Sequence, residues 1–406
     1  MSSHPQQACR SPHEVGQLSP TGVLDVGLRC PHSCVFCYYS HFDGHEDQFH
    51  ALRTLPFRPL AECTALADDF RRWGLTHCDV TGGEPTLHPQ ILELVEHVER
   101  VADVRARMIT LGQFTMRRHK ASGRPRLVDA LLDAGLTDFL FSFHAASEGV
   151  FKQLTKASLR QVKDTMEYLD AIGFTYTSNT VVQEYNVHEL VEIARYLAQR
   201  NVRFHNFIVM KLEWGWRKGP GHGVEHKARY ADIAPALTEA VRILEDAGKG
   251  VNVRYAPYCT LPGLEKNVVG YKQVQLDPYE WRNGTRGGAI EGTPYGGKPF
   301  LFYRELDDYL ATHPTDVETK PGYNMAQGPP CSSCALRGIC DGVDRDYAAR
   351  HGWDEFVPYA GEPVRELTHF RHANPRPFEM LQRSGWPAPR DEVAETETAT
   401  AMEATA

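Results

Sequence analysis

Cys30, Cys34 and Cys37 constrain this chain more than any other feature of its sequence. They lie in the run Leu-Arg-Cys-Pro-His-Ser-Cys-Val-Phe-Cys-Tyr, a C-x3-C-x2-C spacing in which the aromatic Phe36 precedes the last thiol. Four cysteines complete a four-iron, four-sulfur cube. Three so close together supply three irons and leave the fourth open to another ligand. Taken alone, the same three thiols also suit a zinc site.

Val80-Thr81-Gly82-Gly83-Glu84-Pro85 follows about forty residues later. Two adjacent glycines let a backbone come close to a ligand with no side chain in the way. Read alone, this run is a strand ending in a tight turn. In this order and spacing the two runs resemble the signatures of the radical S-adenosylmethionine (SAM) family. The resemblance implies a [4Fe-4S] cluster on Cys30, Cys34 and Cys37, with the amino and carboxylate end of SAM on the open iron. Reductive cleavage of SAM would then give methionine and a 5′-deoxyadenosyl radical. It also implies that the main chain at Gly82 and Gly83 holds the methionine amino group, with Glu84 nearby as acceptor and Phe36 beside the cofactor.

Apolar periodicity divides the first half of the chain into alternating strands and helices. Strands are expected near 23–27, 77–81, 107–111, 139–143, 176–182 and 204–210, with helices near 60–73, 91–101, 126–134, 159–172 and 187–199. Such alternation argues for a parallel sheet covered by helices. The fold class is therefore α/β, and the resemblance implies a partial (β/α)6 TIM-like barrel with a small C-terminal Fe–S extension. Both motifs fall at the C-terminal ends of strands, where sites in such barrels are built. The expected organisation is a loose N-terminal arm over 1–20, the barrel core over 21–225, the extension over 226–390 and a Glu/Thr/Ala tail over 391–406 that cannot bury a core.

By the same strand logic, polar residues at strand ends face the site: Thr110, Gln113, Ser142, His144, Asn179, Thr180 and Asn206. In the family, residues of the fourth and fifth strands touch the ribose of SAM, which the resemblance assigns here to Ser142 and Asn179. Lys211, Glu213, Trp214 and Trp216 are candidates for a substrate lid, or for an exposed loop with packed aromatics.

Cys331, Cys334 and Cys340 form a second group, C-x2-C-x5-C followed by Asp341-Gly342, with Cys259 upstream as a fourth thiol. The group resembles the central element of the SPASM and twitch extensions. Because the downstream cysteine pair of a full SPASM pattern is missing, the resemblance implies one auxiliary [4Fe-4S] cluster on Cys259, Cys331, Cys334 and Cys340. A four-thiolate zinc site satisfies the same residues. Cys78 and Cys63 read as buried small apolar residues, with hydrogen donation to a substrate radical as the functional alternative, and Cys9 lies in the arm.

The net charge of −8 argues against a nucleic-acid partner. No run of eighteen apolar residues suggests a membrane span. The N-terminus has no apolar signal region, so the cysteines are expected to face a reducing cytoplasm. The resulting expectation is an enzyme that takes an electron from a reductant such as flavodoxin or ferredoxin and acts on a small-molecule substrate. Only 29 residues precede Cys30, too few for an N-terminal peptide-binding domain. A sugar, aminocyclitol, nucleoside or amino acid, oxidised or dehydrogenated in a specialised biosynthetic pathway, is therefore expected. Alternatives are epimerisation, transfer of a fragment such as the amino-carboxypropyl group, peptide modification, and a non-enzymatic Fe–S or zinc protein. The last would need the cysteines but not the glycine turn.

Overall fold

Eight strands hydrogen-bond side by side in the order in which they occur along the chain. They are β1 (Thr21–Asp25), β2 (His77–Thr81), β3 (Arg105–Thr110), β4 (Asp138–Ser142), β5 (Tyr176–Val182), β6 (Val202–Val209), β7 (Gly250–Arg254) and β8 (Val268–Val269). Every neighbouring pair is parallel. β1 and β8 are the two edges, so the sheet is a curled, open half-barrel. This architecture comes from a computed structural model that describes residues 21–37, 39–41, 45–72, 77–118, 123–212, 225–274, 324–367 and 369–370. The proposed arm, the tail, Cys9, Glu213, Trp214 and Trp216 lie outside the described residues.

Parallel neighbours need crossovers, and helices supply them. The helix Leu159–Ala171 turns Leu159, Val162, Met166 and Leu169 inward at helical spacing. Tyr230–Asp246 does the same with Tyr230, Ile233, Leu237, Val241 and Leu244. These side chains pack on the outward residues of the strands, such as Phe139, Phe141, Tyr176, Phe207, Val251 and Val253, in one continuous core. The alternate strand residues face the barrel interior. Near the strands' N-terminal ends that interior is filled by charge. Arg107 donates to both carboxylate oxygens of Asp79, at 2.6 and 2.8 Å, and Arg203 pairs with Asp138. This plug leaves the opposite, C-terminal end as the mouth.

The partial barrel stands, with one correction: eight strands replace the expected six. β7 and β8 come from the segment assigned to the extension, so the sheet continues past residue 225. Gly250-Val-Asn-Val-Arg alternates apolar and polar residues with period two, but it is short and runs into a Gly- and Pro-rich stretch. The helix Glu148–Thr155, started by the Ser147 side chain on the Val150 N–H, is a further addition. Beyond the sheet, β9 (Met325–Ala326) and β10 (Val343–Asp344) form an antiparallel pair. Their segment docks on the barrel through Tyr347, whose ring lies 4.9 Å from that of Tyr230. Among the described residues, no helix is long and apolar enough to cross a membrane.

Candidate active site and a second thiol site

The cysteine loop leaves β1 at the barrel mouth and is clamped from two sides. On one side, Cys30 N–H bonds to Leu52 O at 2.9 Å. From the same short helix, His50–Thr54, Arg53 donates to the carbonyls of Cys30 and His32 and to Ser33 Oγ. On the other side, Ser33 and Val35 N–H groups cap Thr155 O (3.1 Å) and Leu154 O (2.9 Å), at the C-terminal end of the helix Glu148–Thr155. A helix end has carbonyls to spare, and here the cysteine loop uses them.

Burial pushes the Cys37 thiol up to about 11, and lifts Cys34 and Cys30 above the ordinary thiol range. Each of the latter two also feels its neighbouring thiols and Glu84. Backbone N–H groups of His32, Tyr39 and Ser40 oppose this by bonding to the sulfurs of Cys30 and Cys37. Three mutually close thiols, supplied with N–H donors, fit a positively charged inorganic centre that holds them as thiolates.

The glycine turn sits directly on this loop. Gly82 has φ 137°, a conformation that side chains resist. A Cβ there would come within 2.3 Å of Gly27 O. A Cβ at Gly83 would come within 2.2 Å of both Leu28 O and Arg29 O. Gly83 N–H bonds to Gly27 O at 2.7 Å, and Glu84 N–H to Arg29 O at 3.0 Å. The sequence expectation was that these glycines make room for a ligand. Among the protein atoms, their nearest neighbours are the backbone that leads into Cys30.

Glu84 is 2% exposed. Its Oε1 accepts from Thr110 Oγ1 and Thr86 Oγ1, both at 2.6 Å, and its Oε2 lies 3.8 Å from His32 Nε2. Burial raises its pKa against these hydrogen bonds. His32, which sequence reasoning passed over, stacks on Phe114 and is held neutral by burial, with its pKa near 4. Asp25 was also missed. Its carboxylate ties Gly27 N–H and Tyr39 OH, both at 2.7 Å, and so fixes both ends of the cysteine loop.

Across the mouth, Ser142, Asn179 and Asn206 stand in register on β4, β5 and β6, and Asn252 continues the row on β7. Asn179 Oδ1 and Asn206 Oδ1 are buried without a hydrogen-bond partner among the described residues. Phe36 packs edge-on against His144 with ring centres 4.4 Å apart. His144 Nδ1 accepts from Val181 N–H, and burial lowers its pKa to about 3, so the ring is neutral. Two expected mouth residues serve the scaffold instead. Thr180 bonds to Phe143 O, and Gln113 accepts from Ser158 N–H at the start of a helix. Cys63 and Cys78 are buried in the core between sheet and helices, which removes them as hydrogen donors to the barrel interior.

Cys259, Cys331, Cys334 and Cys340 line one cavity, together with Tyr258, Leu336, Phe356 and Tyr359. Its wall is almost entirely apolar. Burial and the other three sulfurs push the Cys259 thiol up to about 12. Among the described residues no three His, Cys, Asp or Glu side chains converge as a single ion requires. Four thiols in one cavity suit either an iron–sulfur cube or a four-thiolate zinc ion.

Residues 24–197 match the family model of the radical SAM superfamily. With the half-barrel and its two motifs, this identifies a radical SAM domain in the chain; enzymes of that superfamily use a [4Fe-4S] cluster and SAM. GTP 3′,8-cyclase of Staphylococcus epidermidis is 23% identical over 198 residues, 48% of this chain and 55% of the cyclase. That of Pseudomonas fluorescens is 28% identical over 182 residues, 44% and 50% of the two chains. The chain thus spans about half the length of the curated relatives it matches. Streptococcus suis SuiB bound to S-adenosylmethionine superposes with a TM-score of 0.51 at 14% identity, over 84% of this chain and 77% of SuiB. This likeness concerns the fold.

Proposed function

We propose that this enzyme carries two clusters and uses them to oxidise or dehydrogenate a small polar substrate. Cys30, Cys34 and Cys37 hold the SAM cluster. Gly82, Gly83 and Glu84 border the methionine end of SAM, Phe36 the adenosine, and Ser142 and Asn179 the ribose. Cys259, Cys331, Cys334 and Cys340 hold one auxiliary [4Fe-4S] cluster. When bound, the first cluster and SAM supply a 5′-deoxyadenosyl radical that takes a hydrogen atom from the substrate. An external reductant, of the flavodoxin or ferredoxin kind, provides the initiating electron.

The chain's own part is to orient and to exclude. The glycine turn and Asp25 fix the cysteine loop, and the amide row on β4 to β7 offers donors and acceptors to hydroxyl or amide groups. The observation that carries the reading is the contrast between three thiols on one loop at the barrel mouth and four thiols that line one cavity. Four thiols satisfy a cube, leaving no iron valence for a substrate to ligate. A two-electron oxidation suits such a site better than substrate ligation does.

The test is to incubate the reduced, iron-loaded chain with SAM and panels of sugars, aminocyclitols, nucleosides and amino acids, following 5′-deoxyadenosine and methionine. No 5′-deoxyadenosine from a fully loaded protein would reject the reading. A second reading, radical cyclisation of a nucleotide, is favoured by the likeness of the barrel half to GTP 3′,8-cyclases. GTP therefore belongs in the same panel.

A further inference from the structure

We propose that Lys272 is a positioning residue for the four-thiol site, and that its ammonium raises the reduction potential of the cluster held there. The proposal rests on the two-cluster reading above. Lys272 lies in the short helix Tyr271–Val274, which begins just past β8 and Gly270. It is half-buried. Its Nζ donates to Cys340 O at 3.1 Å and to Gly338 O at 3.2 Å. A residue of the barrel rim thus rests its charge on the main chain of a cysteine that lines the cavity. From that carbonyl the Cys340 sulfur is one side chain away, so charge and sulfur are roughly 8 Å apart or less.

The charge is fixed from several sides. The Asp341 carboxylate accepts from Tyr271 N–H and, at 3.3 Å, from Lys272 N–H. Gly270 lets the two segments come this close, because a Cβ there would lie 2.2 Å from Asp341 Oδ2. Gln273 donates to Ile339 O at 2.7 Å, and Gln327 to Cys340 O at 2.8 Å. Side chains therefore hold the carbonyls of Gly338, Ile339 and Cys340 in succession. Of these donors, only Lys272 carries a full charge.

The cavity wall is almost entirely apolar, and a charge beside a poorly polarisable wall is felt more strongly than one in water. Burial pushes the Cys340 thiol up to about 11. The N–H groups of Gly342 and Tyr258 and the charge of Lys272 oppose this, while Asp341 adds to it. A positive charge that favours thiolate over thiol also favours the more negative, reduced state of a cluster on those thiolates. In the oxidation proposed above, the substrate gives a hydrogen atom to the 5′-deoxyadenosyl radical and a proton to solvent. Its remaining electron goes to the four-thiol site and on to the external carrier. Lys272 favours the uptake of that electron.

Redox titration of the iron-loaded full chain, followed by electron paramagnetic resonance, tests this. The variant with Cys30→Ala, Cys34→Ala and Cys37→Ala together identifies the signal of the second site. Lys272→Met and Lys272→Gln should each move the ratio of reduced to oxidised cluster about tenfold toward oxidised, a one-electron shift of about 59 mV to more negative potential. Lys272→Gln keeps a donor for the Cys340 carbonyl and removes the charge. Lys272→Arg should leave the ratio within about twofold of the parent. Gln273→Leu removes the bond to Ile339 O without changing charge, so it should lower the melting temperature and leave the ratio within about twofold. An unshifted potential in both neutral Lys272 variants overturns the proposal, as does an equal shift in Gln273→Leu. If Lys272→Met fails to load iron, Lys272→Gln decides, and failure of both shows a purely structural role and overturns it. A second site that holds zinc in the parent refutes the two-cluster reading itself, and the proposal with it.

Discussion

Cys30, Cys34 and Cys37 come from one short loop, held by backbone hydrogen bonds from neighbouring elements and by the side chains of Arg53 and Asp25. Cys259, Cys331, Cys334 and Cys340 are gathered from segments far apart in sequence around an apolar cavity. The first site opens onto a barrel lined with amides and hydroxyls. The second is lined by Tyr258, Phe356 and Tyr359. A loop fixed by the scaffold can afford a missing fourth ligand. A pocket walled by side chains that pack on each other cannot, since its own folding leans on what fills it. Under the function proposed above, the contrast teaches that a single loop leaves a ligand position open and a four-thiol cavity does not.

The sharpest way to break this comparison is to empty the first site. Cys30, Cys34 and Cys37 replaced together by Ala should abolish 5′-deoxyadenosine formation and leave about half the iron. Loss of all iron by chemical analysis would show that the sites are not separate. Gly83→Val comes next. A side chain there must displace the carbonyls of Leu28 and Arg29, at a cost of roughly 1–3 kcal/mol for overpacking. We expect SAM cleavage to be lost and the electron paramagnetic resonance signal of the first cluster to change. An unaltered signal would mean that the turn and the loop are independent.

Removing Cys334 and Cys340 probes the closed site. The double variant should still cleave SAM, slowly and uncoupled from product, while its melting temperature falls. Full product formation from a well-folded variant would reduce the second site to a structural role and favour epimerisation or group transfer. The smallest effect is expected for Arg53→Met. It removes donors to Cys30 O, His32 O and Ser33 Oγ, worth about 1–3 kcal/mol. Slower iron uptake at an unchanged final content is the expected result, measured by absorbance during reconstitution.

Much of this was readable before any coordinates. Period-two and period-3.6 patterns placed the first six strands within a few residues, and strand-end logic brought Ser142, Asn179 and Asn206 into one row. What escaped the sequence has a common physical cause: it depends on which backbone touches which. That Gly82 and Gly83 also make room for the carbonyls of residues 27–29 depends on a contact no motif announces. The helix Glu148–Thr155 carries no motif, yet its terminal carbonyls hold the cysteine loop. β7 is too short for periodicity to stand out, so Asn252 and Arg254 were unplaced. Tyr255 and Tyr271 meet Lys211 only because β6, β7 and β8 are neighbours.

Met210, Lys211 and Leu212 form a three-residue junction where the parts of the molecule cease to be interchangeable. Leu212 N–H bonds to Asp344 Oδ2 at 3.1 Å, and its carbonyl accepts from Asn324 at 3.2 Å. Asp341, next to Cys340, accepts from the N–H of Tyr271. The segment bearing three of the four closed-site cysteines thus grips the barrel's own rim. A chimera that kept the barrel and borrowed another enzyme's extension would inherit a rim with no fastening. Diversification of such a chain must proceed by changing barrel mouth and extension together, as one inherited unit.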